Sequence, residues 1–368
     1  MCKGVGKQKR NWGIDGLRLV SMMMIVTLHI LGQGGILGSV APFSKQYYVA
    51  WFIEISAYCS VNCYALISGY VGVYSTFRYY KVLEILAQLL FYNILITIIF
   101  LIFYPGIVDK TVILSMIFPI SSEEYWYITA YIGMCLLLPG LNCVIKNLDK
   151  KALILSLRGI FLIMVALPWV LKFFPVQIVN DPFKLESGYS MLWLCLLYTM
   201  GGYMRRCEVV ESVTKKATMI GFWAMVFITW ISKCILDKKF ISSSIKYGDI
   251  FVDYTSPFIV FAALFLFLFF AKLNINGKFL VKTISFFAPA SLGVYIIHVH
   301  PLIWRNLIPN FFAWLSGISV GKMIFGIFGS VMIVFGVCIV IEKLRIEIFH
   351  FFKISVLCKG IEEKIKKR

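Results

Sequence analysis

The sequence has little charge and little histidine for its length. Only 15% of its 368 residues are charged and four are histidine, whereas 60% are hydrophobic. Soluble domains carry about 25% charged and about 45–50% apolar residues. The shortage of charge therefore excludes an ordinary soluble protein and predicts an all-α integral membrane protein.

The spacings typical of metal-binding and disulfide-rich proteins are also missing. The ten cysteines include no CxxC pair, and most of them lie inside apolar runs. Cys59 and Cys63 are one helical turn apart, but no second pair at metal-ligand spacing accompanies them. Buried cysteines behave as small hydrophobic side chains. We therefore expect no metal site.

Long apolar runs predict the architecture instead. A membrane-spanning helix needs about 20 mostly apolar residues. On this criterion we predict about ten transmembrane helices, at residues 13–37, 47–73, 82–104, 125–145, 152–171, 188–204, 216–236, 251–271, 284–304 and 318–342. The second prediction is weakened by Glu54 inside it, and the sixth is short. Nothing marks a second domain within residues 1–342.

The distribution of basic residues predicts the orientation. The net charge of +18 would suggest a nucleic-acid partner in a soluble protein. Here, with both termini in the cytoplasm, the cytoplasmic segments hold 25 Lys and Arg and the opposite loops hold 10. This is the bias of the positive-inside rule, so we expect no nucleic-acid partner. Residues 343–368 mix apolar and basic side chains, which predicts an amphipathic cytoplasmic tail on membrane lipid.

The stretch NWGIDGLRLVSMMMIVTLHI, residues 11–30, overlaps the first predicted span and contains Asp15, Arg18 and His29. A charge at the bilayer centre costs about 2.5–3.5 kcal/mol on insertion scales. Eleven helical residues turn the chain by about 1100°, so Arg18 and His29 share one face roughly 16 Å apart. Arg18 is expected near the cytoplasmic boundary and His29 towards the membrane middle. Two structural explanations stay open: an Asp15–Arg18 pair that reaches the headgroups, and an interhelical hydrogen bond from His29.

Two further segments place polar and aromatic residues towards the outer side. In SLGVYIIHVHPLIW, Tyr295 and His298 share one helical face. Before the fourth span, Glu124 precedes an aromatic cluster that contains Trp126. A membrane-interface belt explains such aromatic residues equally well. The functional alternative is a sugar platform, because aromatic faces stack on pyranose rings and carboxylates accept hydrogen bonds from their hydroxyls. The predicted acceptor-binding residues are therefore Glu124, Trp126, Tyr295 and His298.

Five motifs, in their order along the chain, resemble those of the membrane-bound acyltransferase-3 family. Its members are bacterial O-acetyltransferases that modify exported glycans. The matching stretches, which run from residue 11 to about residue 304, are NWGIDGLRLVSMMMIVTLH, NCYALISGY, FRYYK, EEYWYITAYIGMCLLLPGL and SLGVYIIHVHPL. The resemblance implies an acyl-CoA donor, such as acetyl-CoA, and a glycan or glycolipid acceptor. It also implies a bacterial cytoplasmic membrane as the location.

Carried over by position, Arg18 and His29 correspond to the family's essential pair, and Asp15 would hold Arg18 in place. Arg78 corresponds to the first basic residue of an R-x-x-R loop motif that the resemblance assigns to CoA. The second position is Lys81 here, which keeps the charge but loses the bidentate fork that suits phosphate. Some relatives carry a fused esterase-like domain that is not present among these residues. The resemblance therefore also implies a separate glycan-processing protein as a candidate partner.

The sequence predicts a membrane O-acyltransferase but leaves two questions open. His29 is either a general base for the acceptor hydroxyl or a carrier of the acyl group. The main alternative function is a glycolipid flippase or another secondary transporter, since intramembrane charges also line substrate pathways. No repeated halves typical of such transporters are visible. A non-catalytic membrane receptor is a third alternative, which the shared face of Arg18 and His29 does not support.

Overall fold

The structure is a computed structural model that describes residues 10–174, 181–243 and 245–366. Within these residues the chain forms eighteen α-helices and no β-strand, which confirms the predicted all-α architecture. The first nine are α1 (Trp12–Leu31), α2 (Ile36–Ser39), α3 (Lys45–Tyr58), α4 (Ser60–Gly72), α5 (Tyr80–Phe103), α6 (Lys110–Ile117), α7 (Trp126–Asn147), α8 (Lys150–Phe161) and α9 (Leu167–Leu171). The others are α10 (Met191–Arg206), α11 (Val209–Ser212), α12 (Lys215–Lys239), α13 (Pro257–Ala271), α14 (Lys278–Phe287), α15 (Ser291–His298), α16 (Pro301–Asn306), α17 (Val320–Phe351) and α18 (Ile354–Lys366).

The helix lengths confirm a polytopic membrane protein. In the described part of the chain, eight helical segments are long and apolar enough to cross a membrane: Trp12–Ser39, Lys45–Gly72, Tyr80–Phe103, Trp126–Asn147, Lys150–Leu171, Lys215–Lys239, Lys278–His298 and Val320–Phe351. The predicted sixth and eighth spans coincide with the shorter helices α10 and α13, of 16 and 15 residues. Short 3-10 helices lie at Pro105–Ile107, Glu186–Gly188, Tyr247–Phe251, Ala288–Ala290 and Ala313–Gly317, and a π-helical turn at Leu162–Ala166 joins α8 to α9.

The predicted ninth span, residues 284–304, is not one continuous helix. The chain forms α14, a 3-10 turn, α15 and α16 in succession. Helix α15 ends at His298, and His300 caps α16 by accepting a hydrogen bond at Nδ1 from the Leu302 N–H, at 3.2 Å. Pro301 occupies the first turn of α16, where its missing N–H costs nothing. The break places His298 at a helix end inside the bundle.

Helices α4 and α10 cross with their backbones in close approach. A Cβ added at Gly69 would lie 1.9 Å from the carbonyl oxygen of Tyr198, and one added at Gly201 would lie 2.2 Å from that of Leu66. Small residues at such crossings let membrane helices pack without a layer of side chains between them. The two glycines thus let α10 pack directly on α4.

Helix α1 is the central element of the bundle and packs on α3, α4, α13, α15 and α17. Its first turn is capped by Asn11, whose Oδ1 accepts from the N–H groups of Gly13 and Ile14. The Asn11 amide also donates to the carbonyl oxygen of Ala271 at 2.8 Å, which ties α1 to the end of α13. The polar face of α1 therefore points into the protein.

A buried carboxylate links α5, α15 and α17. Glu342 is 1% exposed, accepts from the Tyr92 hydroxyl at 2.6 Å and from the Gln88 amide at 3.1 Å, and pairs with Arg345. Its carboxyl group packs directly on Gly293, where an added Cβ would come within 2.3 Å. Because a buried carboxylate is stable only when its hydrogen bonds are satisfied, this network holds α15 in one position.

The described part of the segment after residue 342 is helical except for a turn at Phe352 and Lys353. Helix α17 continues to Phe351, and α18 then lies against α5. The Tyr79 N–H donates to Glu362 at 3.2 Å. Apolar side chains of α18 such as Leu357 and Ile365 remain exposed. Residues 1–9 and 367–368, at the ends of the predicted domain and tail, lie outside the described residues.

Candidate active site

Two cavities lie along the polar face of α1. The first, here called the Arg18 cavity, measures about 300 Å³ and extends from Arg18 to His29 between residues that include Tyr64, Ile85 and Ser291. The second, here called the Glu54 cavity, measures about 340 Å³ and is lined by Gln33, Glu54, Tyr58, Glu124, Val299 and Trp304 among others. Both are large enough to hold part of a substrate.

The two cavities meet at His29. Five residues line both of them: His29, Trp126, Tyr189, Tyr254 and Tyr295. The ring centroids of Trp126 and Tyr189 lie 4.4 Å apart, and those of Tyr189 and Tyr254 lie 5.3 Å apart. The His29 side chain is thus reachable from either cavity, with an aromatic wall beside it.

A chain of hydrogen bonds orients the His29 ring. His298 Nδ1 lies 2.6 Å from the carbonyl oxygen of Val294, and His298 Nε2 lies 2.7 Å from His29 Nδ1. A carbonyl oxygen only accepts, so His298 Nδ1 carries a proton. For two neutral rings, His298 Nε2 then accepts from the His29 Nδ1–H. This assignment leaves a lone pair on His29 Nε2.

Packing fixes the ring in this orientation. His29 lies in the last turn of α1, and its ring makes an edge contact with Trp304 at 4.7 Å between centroids. His298 is only 4% exposed, whereas His29 is partly exposed. His29 Nε2 has no hydrogen-bond partner among the described residues. A base held by a second residue, with one nitrogen available, is the arrangement typical of general-base and nucleophilic catalysis.

At the other end of α1, Asp15 holds Arg18. The carboxylate of Asp15 is buried and accepts from the Arg18 guanidinium at 2.6 Å and from Arg10 at 2.5 Å. The Tyr64 hydroxyl donates to the backbone carbonyl of Arg18 at 2.7 Å. Arg18 lines the cavity and Asp15 does not. The Asp15–Arg18 pair and the interhelical hydrogen bond of His29 are both observed, and neither removes Arg18 or His29 from a cavity wall.

The structure brings together most of the residues predicted on the outer side. Glu124, Trp126 and Tyr295 line the Glu54 cavity. Glu124 accepts from Arg305 at 2.7 Å, so its charge is already paired. His298 lines neither cavity and lies behind His29 instead. Within the described residues, no three His, Cys, Asp or Glu side chains are close enough to hold a metal ion.

The predicted basic loop lies away from both cavities. Arg78 and Lys81 are exposed and line neither of them. Lys81 is four residues before Ile85 on α5, so the two side chains share a helical face. Ile85 lines the Arg18 cavity, and the loop is therefore one helical turn from its wall.

The sequence reasoning missed the residues that complete the Glu54 cavity. Tyr58, Tyr189, Tyr254 and Trp304 come from four separate segments, and no local pattern connects them. Glu54 did have a signal, because an ionisable residue inside a predicted span marks a functional site by default.

Comparison with known proteins decides the family. A family model described as an acyltransferase domain matches residues 11–343. The chain belongs to the acyltransferase-3 family. This confirms the resemblance, and the protein is a membrane acyltransferase. No curated protein and no solved structure matches the chain.

Proposed function

We propose that this acyltransferase moves an acetyl group from cytoplasmic acetyl-CoA to a hydroxyl of a cell-surface or lipid-linked glycan, in a bacterial cytoplasmic membrane. The observation that carries the proposal is the meeting of the Arg18 and Glu54 cavities at His29. A donor and an acceptor that approach from opposite ends of α1 would reach the same imidazole.

The Arg18 cavity suits the donor. Acetyl-CoA carries phosphates at one end and a thioester at the other, joined by a flexible arm. Arg18 and His29 are roughly 16 Å apart along α1, which is comparable to the reach of that arm. The remaining N–H groups of Arg18, which Asp15 holds in place, would bind the polar part of the donor while the thioester lies beside His29.

The hydrogen-bond chain supports His29 as a general base. Its Nε2 removes the proton from the acceptor hydroxyl as the oxygen attacks the carbonyl carbon of the thioester. The carbon–sulfur bond breaks, and the CoA sulfur leaves as a thiolate that takes the proton back from the imidazolium. His298 Nε2 accepts from His29 Nδ1–H throughout and stabilises the imidazolium. An acetyl group found on His29 after rapid denaturation at neutral pH would show an acyl-enzyme route instead.

Inside-out membrane vesicles supply the direct test of the function. With acetyl-labelled CoA added outside them, the label should appear on glycan that the vesicle membrane carries. Vesicles that hold the His29→Ala protein are the matched control and should show background label only. Movement of an intact lipid-linked sugar without any label would point to a flippase and contradict the proposal.

The basic loop is proposed to bind the phosphates of CoA from the cytoplasmic side. Exposed charge pairs contribute up to about 1 kcal/mol each, so Arg78→Ala should raise KM for acetyl-CoA about fivefold. The double variant Arg78→Ala/Lys81→Ala should raise it about thirtyfold, by the same energy per charge. The measurement is initial rate against acetyl-CoA concentration.

A donor without phosphates makes this prediction specific. KM for S-acetylpantetheine should be the same in both loop variants as in the unmodified protein. The pair Lys150→Ala/Lys151→Ala removes two exposed charges elsewhere and should change neither KM. Equal effects on both donors would show that the loop acts on the fold rather than on phosphate.

A further inference from the structure

Glu54 is a buried carboxyl group that the donor reaction leaves unused. It lies on α3, is 7% exposed and lines the Glu54 cavity. Its Oε2 has no hydrogen-bond partner among the described residues, and no Lys, Arg or His there lies within salt-bridge distance. Burial of such a group without a partner is costly. The group therefore suits a site where a ligand completes its hydrogen bonds.

The other carboxyl group of the cavity is in a different state. Glu124 is paired with Arg305 at 2.7 Å, so its hydrogen-bonding capacity is already partly taken. The two carboxylates are thus distinguished by their partners rather than by their position. Glu54 is the better candidate to receive a hydrogen bond from a ligand.

The walls around Glu54 are aromatic. The Tyr58 and Tyr254 rings lie 4.8 Å apart, and the Trp126 and Tyr254 rings are stacked at 6.4 Å. Flat ring faces favour the apolar C–H faces of a pyranose, whereas a single acceptor oxygen among them selects a hydroxyl. Few polar groups in a mostly apolar cavity are typical of a site that orients its ligand.

We propose that Glu54 is an acceptor-binding residue. Its unpaired oxygen accepts a hydrogen bond from one hydroxyl of a pyranose that stacks on the Tyr58 and Tyr254 side of the cavity. This contact turns a second hydroxyl of the same sugar towards His29, which lines the same cavity. The inference rests on the proposed function, because it names the binding residue and the substrate class of that reaction.

Two substitutions at this position separate hydrogen bonding from charge. Glu54→Leu removes the acceptor oxygen and should reduce acetyl transfer to the glycan in native membranes about ten- to a hundredfold, the cost of leaving one buried hydroxyl donor without a partner. Glu54→Gln keeps an acceptor oxygen in the same place and should stay within about threefold. Exposed Glu347→Leu is the matched control and should not change transfer.

The readout is the partition of labelled acetyl between glycan and free acetate, measured in membranes that contain their own acceptor. With Glu54→Leu, label on glycan should fall while release of acetate from acetyl-CoA does not, because the donor site is intact. Loss of both reactions together would show a structural role and overturn the inference. Glu54→Gln as poor as Glu54→Leu would overturn it as well, since charge would then be what matters.

Two other results are decisive. Transfer by Glu54→Leu at the unmodified rate would refute the role of Glu54 while leaving the proposed function in place. Absence of labelled glycan with the unmodified protein would refute the proposed function itself, and the inference with it.

Discussion

Replacement of His29 by alanine is expected to reduce acetyl transfer about 10²–10⁴-fold, the usual contribution of a general base. The reason is that His29 lines both cavities and has Nε2 free of hydrogen-bond partners in the described structure. The measurement is the initial rate of label transfer from acetyl-CoA, with both substrates saturating, so that kcat is compared.

The control for this variant comes from the same chain. His350 lies in the last turn of α17 and is exposed, so His350→Ala should transfer at the unmodified rate. His29→Gln keeps a side chain of similar length that can hydrogen-bond to His298 but cannot act as a base at neutral pH. It should be as inactive as His29→Ala. A folded His29→Ala protein with full activity would refute the assignment of His29.

Loss of His298 is expected to have the second largest effect. His298 touches no cavity, but it fixes which nitrogen of His29 carries the proton. In His298→Ala the His29 ring is free to turn, and its Nδ1–H loses the acceptor that stabilises the imidazolium. We expect kcat to fall about 10²-fold, near the low end of the range for loss of the base itself, with KM for acetyl-CoA unchanged.

Partial rescue distinguishes positioning from packing. In His298→Gln the amide oxygen can accept from His29 Nδ1–H. Its kcat should be about tenfold higher than that of His298→Ala, on the scale of one hydrogen bond. Ile297→Ala removes a buried apolar side chain from the same helix and should change kcat less than threefold. If Ile297→Ala lowers kcat as much as His298→Ala, then a loosened α15 explains the loss and the positioning role is wrong.

The helical elements were largely predictable from the sequence, because they depend on residues close together in the chain. Apolar runs of sufficient length predicted where the membrane helices lie. The break in the ninth predicted span at His300 and Pro301 was missed, since apolar composition continues across it while the backbone hydrogen-bond ladder does not. The family was predictable as well, because its motifs keep their order along the chain.

The features of the candidate site also fall into two groups, those that follow from local sequence and those that depend on packing. The shared face of Arg18 and His29 follows from the helical period alone, which acts over eleven residues. The contact between His29 and His298, 269 residues apart, and the pairing of Glu124 with Arg305, 181 residues apart, do not. Local periodicity decides which side of a helix a residue occupies. The angle and distance at which helices cross decide what that side meets, and those are set by packing elsewhere, as at Gly69 and Gly201.

The sequence by itself thus determined that this protein is an all-helical membrane acyltransferase with Arg18 and His29 in line on its first helix. Only the tertiary structure decided that His298 supports His29 from behind and that Glu54 is unpaired beside Glu124. The physical reason is that both distinctions depend on which partner each polar group finds across the bundle. A buried group without a partner is identified only when all its neighbours are in place.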